Sequence, residues 1–302
     1  MNLVNSLISA AFLVSILRGV TPYFLGASAA NFSERGGVIN IAIEGFMTLG
    51  AFTFAVVMTF TQNPALSIFA ALFINLIFSL LYSLFTVKLK IDQIVTGVGF
   101  NLFIEGLTKF LLMYFFHSSS NTERIEDLPM LPGLKDIPFF GEFFGDPIII
   151  FAYLLVPVSI FILFRTRFGL RLRSAGENPK AGESLGIKIR NYRVYGIMIS
   201  GLLSGLAGVW LAGEQNSYSD FMIAGRGYIA IAAMIIGKWK PLNIFIACLM
   251  FAFFQALQIA IQTSGTGFPT QFIQMLPYLI TVLVLIGFIG KTKPPAADGV
   301  PY

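Results

Sequence analysis

The sequence is poor in charge. Asp, Glu, Lys and Arg make up only 12% of its 302 residues, about half the share of an ordinary soluble domain. Hydrophobic residues make up 56%, and the mean hydropathy is +0.79. So few charges could hardly cover a water-exposed surface, which argues against a soluble fold. Cysteine and histidine occur once each, as Cys248 and His117. A lone cysteine closes no internal disulfide, and one of each leaves too few ligands for a zinc or haem site. A Ser/His/Asp constellation has no suitable histidine. A phosphate-binding loop is also missing. The nearest candidate, Gly290-Lys291-Thr292, has Leu285 where the first glycine should stand, and it closes an apolar run instead of following a soluble strand. The chain therefore carries no visible nucleotide, metal or cofactor site of its own. Its net charge of +5 reads as membrane topology, with no nucleic-acid partner implied.

What is present is a succession of apolar runs, rich in Phe (32 residues), each judged against the roughly 20 residues that span a bilayer. They lie at 3–30, 38–60, 64–87, 93–116, 147–164, 194–213, 226–237, 242–262 and 271–290. The expected fold is all-α, a polytopic bundle of about nine segments in one transmembrane domain over 1–302, embedded in membrane lipid. Run 226–237 falls short of a full hydrocarbon core and reads as a half-helix or broken helix. Ala27-Ser28-Ala29 resembles a signal-cleavage site, but no basic residue precedes Arg18, so 3–30 reads as a retained first helix.

Basic residues set the orientation. The 165–193 loop holds Arg165, Arg167, Arg171, Arg173, Lys180, Lys188, Arg190 and Arg193 against Glu177 and Glu183. The 117–147 loop holds Arg124 and Lys135 against Glu123, Glu126, Asp127, Asp136, Glu142 and Asp146. The first is expected inside and the second outside. Lys88, Lys90, Lys238, Lys240, Lys291 and Lys293 then fall inside if run 226–237 crosses. The amino terminus is expected outside and the carboxy terminus inside. Runs two and seven are entered through Arg35-Gly36-Gly37 and Arg226-Gly227, from opposite sides. An inverted repeat would give that pattern and would place a pathway at mid-depth.

Charge at membrane depth is costly and faces a bundle interior. Asn40 and Glu44 are spaced as one helical face, and Asn101, Glu105 and Lys109 form a stripe with Glu105 and Lys109 in ion-pair register. Arg18 lies in run one, and Gln255, Gln258 and Gln262 lie in run eight. Two uses stay open for Asn40, Glu44, Asn101 and Glu105: lining a solute pathway, or fixing helix packing. For the glutamines, helix–helix hydrogen bonding is the better reading. In the basic loop, Asn178 can cap a helix with Pro179 at its first position, and Gly186 can end it. That gives a helix of about seven residues with no lipid to span, suited to docking a soluble partner.

Taken together, these runs resemble a family. Ser33-Glu34-Arg35-Gly36-Gly37-Val38-Ile39-Asn40-Ile41-Ala42-Ile43-Glu44-Gly45-Phe46-Met47 resembles the signature of permeases of ATP-binding-cassette (ABC) importers, in the branched-chain amino acid and simple-sugar class. The run from Arg167 to Pro179 looks like that class's coupling region. Gly225-Arg226-Gly227-Tyr228-Ile229-Ala230, Gly237-Lys238-Trp239-Lys240-Pro241, Gln274-Met275-Leu276-Pro277-Tyr278 and Gly299-Val300-Pro301-Tyr302 are similar to its purine-nucleoside and simple-sugar branch. The matches run in order over 15–302. Phe46 departs from the pattern, where a smaller or Met-like residue is usual, which loosens any inference of substrate from the pathway. The resemblance implies a multi-pass permease of the bacterial inner membrane with no activity of its own. It would pair with a homologous second permease, a cytoplasmic ATPase carrying ATP and magnesium, and an external substrate-binding lipoprotein. The solute would be a purine nucleoside, with simple sugars or riboflavin as alternatives. Coupling to the ATPase would fall on Glu177, Asn178, Pro179, Lys180 and Glu183. Two other classes compete: an ion-coupled secondary transporter, and a lipid-modifying enzyme using Glu44 or Glu105, which lacks a nucleophile or metal cluster.

Overall fold

The computed structural model describes residues 10–118, 120–126, 128, 141–263, 272, 275, 279 and 293–302. Nearly all of the expected run 271–290, and residues 119, 127 and 129–140 of the 117–147 loop, lie outside the described residues. The helices are α1 (Ala10–Arg35), α2 (Ile43–Thr61), α3 (Pro64–Ser83, continued by a π-helical turn Leu84–Lys88), α4 (Gln93–Phe116), α5 (Pro147–Arg165), α6 (Arg167–Glu177), α7 (Pro179–Ser184), α8 (Ile189–Gln215), α9 (Arg226–Ile236) and α10 (Pro241–Thr263), with a single turn at Gly141–Phe144. Seven of them are long and apolar enough to cross a bilayer; α9 is the shorter apolar helix.

Helix α3 turns its large apolar side chains outward and mostly small ones inward. On α3, Leu66, Phe69, Phe73, Ile77 and Leu80 are exposed, while Ser67, Ala71, Asn75, Ser79 and Tyr82 are buried at helical spacing. In lipid no hydrophobic force separates the two faces, so small residues that let backbones approach decide which face packs. The contact surfaces fit this rule. A Cβ on Gly205 would meet the Asn75 side chain at 2.7 Å, and one on Gly208 would meet the Met47 carbonyl at 1.9 Å. Helix α8 is thereby drawn tightly between α2 and α3.

Several segments depart from the expected bounds, among them α8, which begins at Ile189 instead of 194. Helix α1 continues beyond residue 30 to Arg35, because Glu34 and Arg35 have partners at that depth: Glu34 accepts the Trp239 indole N–H at 2.7 Å and Arg35 donates to the Trp239 carbonyl at 2.9 Å. The second run becomes helical only at Ile43. Gly37 takes φ +86°, and the Asn40 side chain accepts the Ala42 N–H at 3.0 Å, a local bond that competes with helix. Asn40 and Glu44 therefore do not share a helical face. Irregular backbone at membrane depth must find other partners, and four side chains supply them. Ser33 donates to Val38 O (2.6 Å), Gln93 accepts from Ile39 N (2.8 Å), Tyr82 donates to Ile39 O (3.0 Å) and Asn101 donates to Ile41 O (3.0 Å). Run 226–237 keeps nearly its expected bounds: α9 has 11 residues, about 16 Å at 1.5 Å each, roughly half of a 30 Å hydrocarbon core.

Helix ends define two faces of the bundle. The basic end carries Arg165–Lys188; the opposite end carries Gln62, His117 and Asn216, each a left-handed residue closing a helix. Residues 293–302 return to the basic end, where Ala297 N–H donates to Gly176 O at 2.7 Å.

Candidate functional site

The two interrupted segments meet inside the bundle. Gly26, nine residues or about 13 Å up α1 from Arg35, packs against Ala230 and Ile43. At this level α2 starts and runs toward the opposite end, while α9 starts and runs toward the basic end. Glu44, in the first turn of α2, reaches the start of α9. One oxygen accepts from Gly225 N and the other from Gly227 N, each at 2.7 Å. Gly225 has no side chain to cap the helix, so Glu44 caps it from another helix. A carboxylate suits that place, since an α-helix N-terminus presents unpaired N–H groups and a positive dipole end. Gly227 is required there: a Cβ would meet Glu44 Oε2 at 2.7 Å and its backbone N at 2.8 Å.

Asn101 completes the joint. Its Oδ1 accepts from Gly45 N at 2.8 Å, and its Nδ2 donates to Ile41 O and to the Tyr228 hydroxyl, both at 3.0 Å. Asn40 donates to the Ser200 hydroxyl at 2.9 Å. Asn40, Glu44 and Asn101 are thus brought together around the starts of α2 and α9. Glu105, half-buried, lies one turn beyond Asn101 on α4. The expected Glu105–Lys109 pair is replaced: Lys109 Nζ lies 3.1 Å from Asp220 in the segment leading into α9 and 5.6 Å from the Phe221 ring centroid. Sequence spacing favours a neighbour on the same helix, but that segment folds back against α4 and brings Asp220 within ion-pair distance. Gln255 accepts from the Tyr23 hydroxyl at 2.9 Å, a helix–helix bond as expected.

Helix α9 fills only the half nearer the basic end, and among the described residues the space beside its start is open. There lies a cavity of about 650 Å³, within the range of roughly 300–1,000 Å³ typical of small-molecule pockets. Its walls are α1, α8 and α10, and Arg226 at the start of α9 also borders it. Arg18 pairs with Glu214 in its wall, and Gln255 and Trp210 contribute. Sequence reading noted Arg18 and Gln255 but had no signal for Glu214, a terminal-turn residue of α8. It also missed Tyr228, Glu34 and Trp239. The shortness of run 226–237 and the Gly225-Arg226-Gly227 triplet were the marks that this region is interrupted.

At the basic end, Asn178 Oδ1 accepts from Ala181 N at 3.1 Å, and α7 follows with Pro179 in its first turn. Gly186 takes φ +78° after it. Lys180 and Glu183 are exposed, and Leu185 is 81% exposed at the tip. Glu177, just before α7, lies 3.8 Å from Arg35. Arg35 therefore touches both the segment leading to α7 and the end of α9.

Comparison with known proteins places this geometry. The family described as branched-chain amino acid transport system / permease component matches residues 12–285. The chain is similar to the nucleoside ABC transporter permease protein NupC of Lactococcus lactis, with 39% identity over 100% of this chain and 99% of the relative. It is similar to the guanosine ABC transporter permease protein NupQ of Bacillus subtilis, with 38% identity over 93% and 92%. It is also similar to NupP of the same organism, a guanosine ABC transporter permease protein, with 23% identity over 93% and 84%. No solved structure matches. A multi-pass helical membrane protein, the chain belongs to the branched-chain amino acid transport system permease family.

Proposed function

We propose that the chain is one of two permease subunits of an ABC importer that carries purine nucleosides into the cytoplasm of a bacterial cell. Near-full-length likeness to two permeases named for nucleoside and guanosine transport carries the substrate class. Bacillus subtilis has two guanosine permease proteins, both similar to this chain at different levels, which supports a homologous second permease as its partner. The basic end faces the cytoplasm by the positive-inside rule, so the amino terminus lies outside and the carboxy terminus inside. ATP and magnesium belong to a separate ATPase. That ATPase docks on Glu177, Asn178, Pro179, Lys180, Glu183 and the exposed Leu185. A binding lipoprotein delivers solute at the opposite face.

The 650 Å³ cavity is the external part of the path in this reading. A nucleoside needs hydrogen-bond donors and acceptors and an apolar wall for its ring, and Arg18, Glu214 and Gln255 beside Trp210 offer both. The joint made by Glu44, Asn101 and Asn40, with Glu105 a turn away, forms the floor that must open. Two conformations of similar energy, biased by ATP, meet that need.

The test is made in proteoliposomes holding the whole transporter. Asn178→Ala with Pro179→Ala should lower both guanosine uptake and the ATPase stimulation given by loaded binding protein, while the chain stays in the membrane. Survival of both at the unmodified level would refute the docking assignment.

A further inference from the structure

The last residues of the chain are built into the basic end. Arg193 of α8 is 1% exposed, a costly place for a guanidinium without partners. Its partners come from the tail. Nη1 donates to Val300 O at 2.7 Å, and Nη2 donates to Ala297 O at 3.5 Å. The guanidinium carbon lies 5.7 Å from the Tyr302 ring centroid, within cation–π range. The Tyr302 hydroxyl donates to Glu183 on α7. Ala296 N donates to Glu177 Oε2 at 3.4 Å and Ala297 N to Gly176 O at 2.7 Å. Gly299, at φ +74°, lies so close to Ile39 that a Cβ would meet its Cδ1 at 2.8 Å. The Asp298 carboxyl faces Glu34, and Glu34 holds the indole of Trp239.

These contacts form a chain of parts. One end is α7, the surface assigned above to the ATPase. The other ends are the irregular 38–42 segment leading into α2, and Trp239 at the end of α9. Each of those two runs up to the Glu44 joint. The tail residues bond both terminal nitrogens of a buried arginine and touch five parts of the fold: α1, the 38–42 segment, α6, α7 and α8.

We propose that residues 296–302 are a strut that passes displacement of α7 to the 38–42 segment and to α9, a positioning element for opening the joint. The proposal rests on the ATP-driven import reading. A second, weaker link runs through Arg35, which lies 3.8 Å from Glu177 and donates to Trp239 O, so removing the strut reduces coupling without abolishing it.

The experiment uses the complete transporter in proteoliposomes. Guanosine moved per ATP hydrolysed is measured for the full chain, a chain ending at Pro295, Tyr302→Phe, Glu183→Gln and the last two combined. Subunit stoichiometry after purification is the assembly control. The strut predicts intact assembly and a fall in guanosine per ATP of at least about fivefold for the shortened chain, the lower range for coupled sites. It also predicts a smaller fall for Tyr302→Phe, which adds nothing once Glu183→Gln is present. An unchanged ratio in the shortened chain overturns the proposal. If the shortened chain fails to assemble, Tyr302→Phe decides: an unchanged ratio in an assembled complex overturns it, and a lowered one supports it. Absence of ATP-dependent uptake with the full chain removes the importer reading and the strut with it.

Discussion

Replacing Glu44 tests the joint most severely. Its carboxylate accepts two backbone N–H bonds of 2.7 Å from Gly225 and Gly227. A hydrogen bond to a charged group contributes about 1.5–3 kcal/mol, and a neutral one about 0.5–1.5. In Glu44→Gln the amide oxygen keeps one neutral bond, while the NH2 group faces the other N–H. One charged bond is lost and the other weakened, a cost of about 2–4 kcal/mol. Glu44→Ala leaves both N–H groups unpaired near mid-depth and costs at least as much. With the slope of about 2–4 °C per kcal/mol seen for larger domains, the melting temperature of the detergent-purified protein should fall by roughly 5–15 °C. Glu44→Asp shortens the reach by one methylene and should lose one of the two bonds, giving an intermediate loss. Glu105→Gln, one turn beyond Asn101, is the control and should shift melting far less. The reasoning is refuted if Glu44→Gln and Glu44→Ala melt within about a degree of the unmodified protein, because the start of α9 would then have no need of a cap from α2.

Two further outcomes follow from packing and titration. Gly208→Ala places a methyl 1.9 Å from the Met47 carbonyl, so α8 must move off α2. The variant should melt lower by an amount comparable with overpacking, about 1–3 kcal/mol, while Gly106→Ala, where a Cβ meets nothing within 4 Å, should be neutral on the same thermal-shift assay. Asp298 faces Glu34 from α1 and Arg193 from α8, with Tyr302 close to Arg193, and burial raises its carboxyl from an ordinary value of 3.8 to about 7. The docked tail thus holds the proton more tightly than a free tail. Docking is favoured most below about pH 4 and weakens as pH rises toward 7, with no further change from this group above it. Hydrogen exchange at the Ala297 amide should speed up across that window beyond its intrinsic rate, and Asp298→Asn should remove the excess.

The helical bundle was legible because lipid imposes it: an apolar run such as 64–87, without a single charge, has few other uses, and α3 has nearly those bounds. The short α9 was legible from length alone, and α7 from the Asn178-Pro179 start and the Gly186 end. The interruption at 38–42 was not legible. Val38-Ile39-Asn40-Ile41-Ala42 is as apolar as a helix, and what keeps it irregular is Tyr82, Gln93 and Asn101. Those side chains come from α3 and α4, far along the sequence from the backbone groups they bond. Lys109 shows the same limit. Helical spacing pointed to Glu105, but the fold brings Asp220 to it. The pairing of Arg18 with Glu214, 196 residues apart, and the return of Tyr302 to Glu183 depend on tertiary contacts with no local pattern.

The most direct measurement of the central claim is labelled guanosine uptake into proteoliposomes that contain this chain, its partner permease and the ATPase, with loaded binding protein outside and ATP inside, set beside ribose and riboflavin. The account predicts guanosine accumulation that requires hydrolysable ATP and persists after ionophores collapse every ion gradient. Uptake that continues without ATP and stops when the gradients collapse would contradict it.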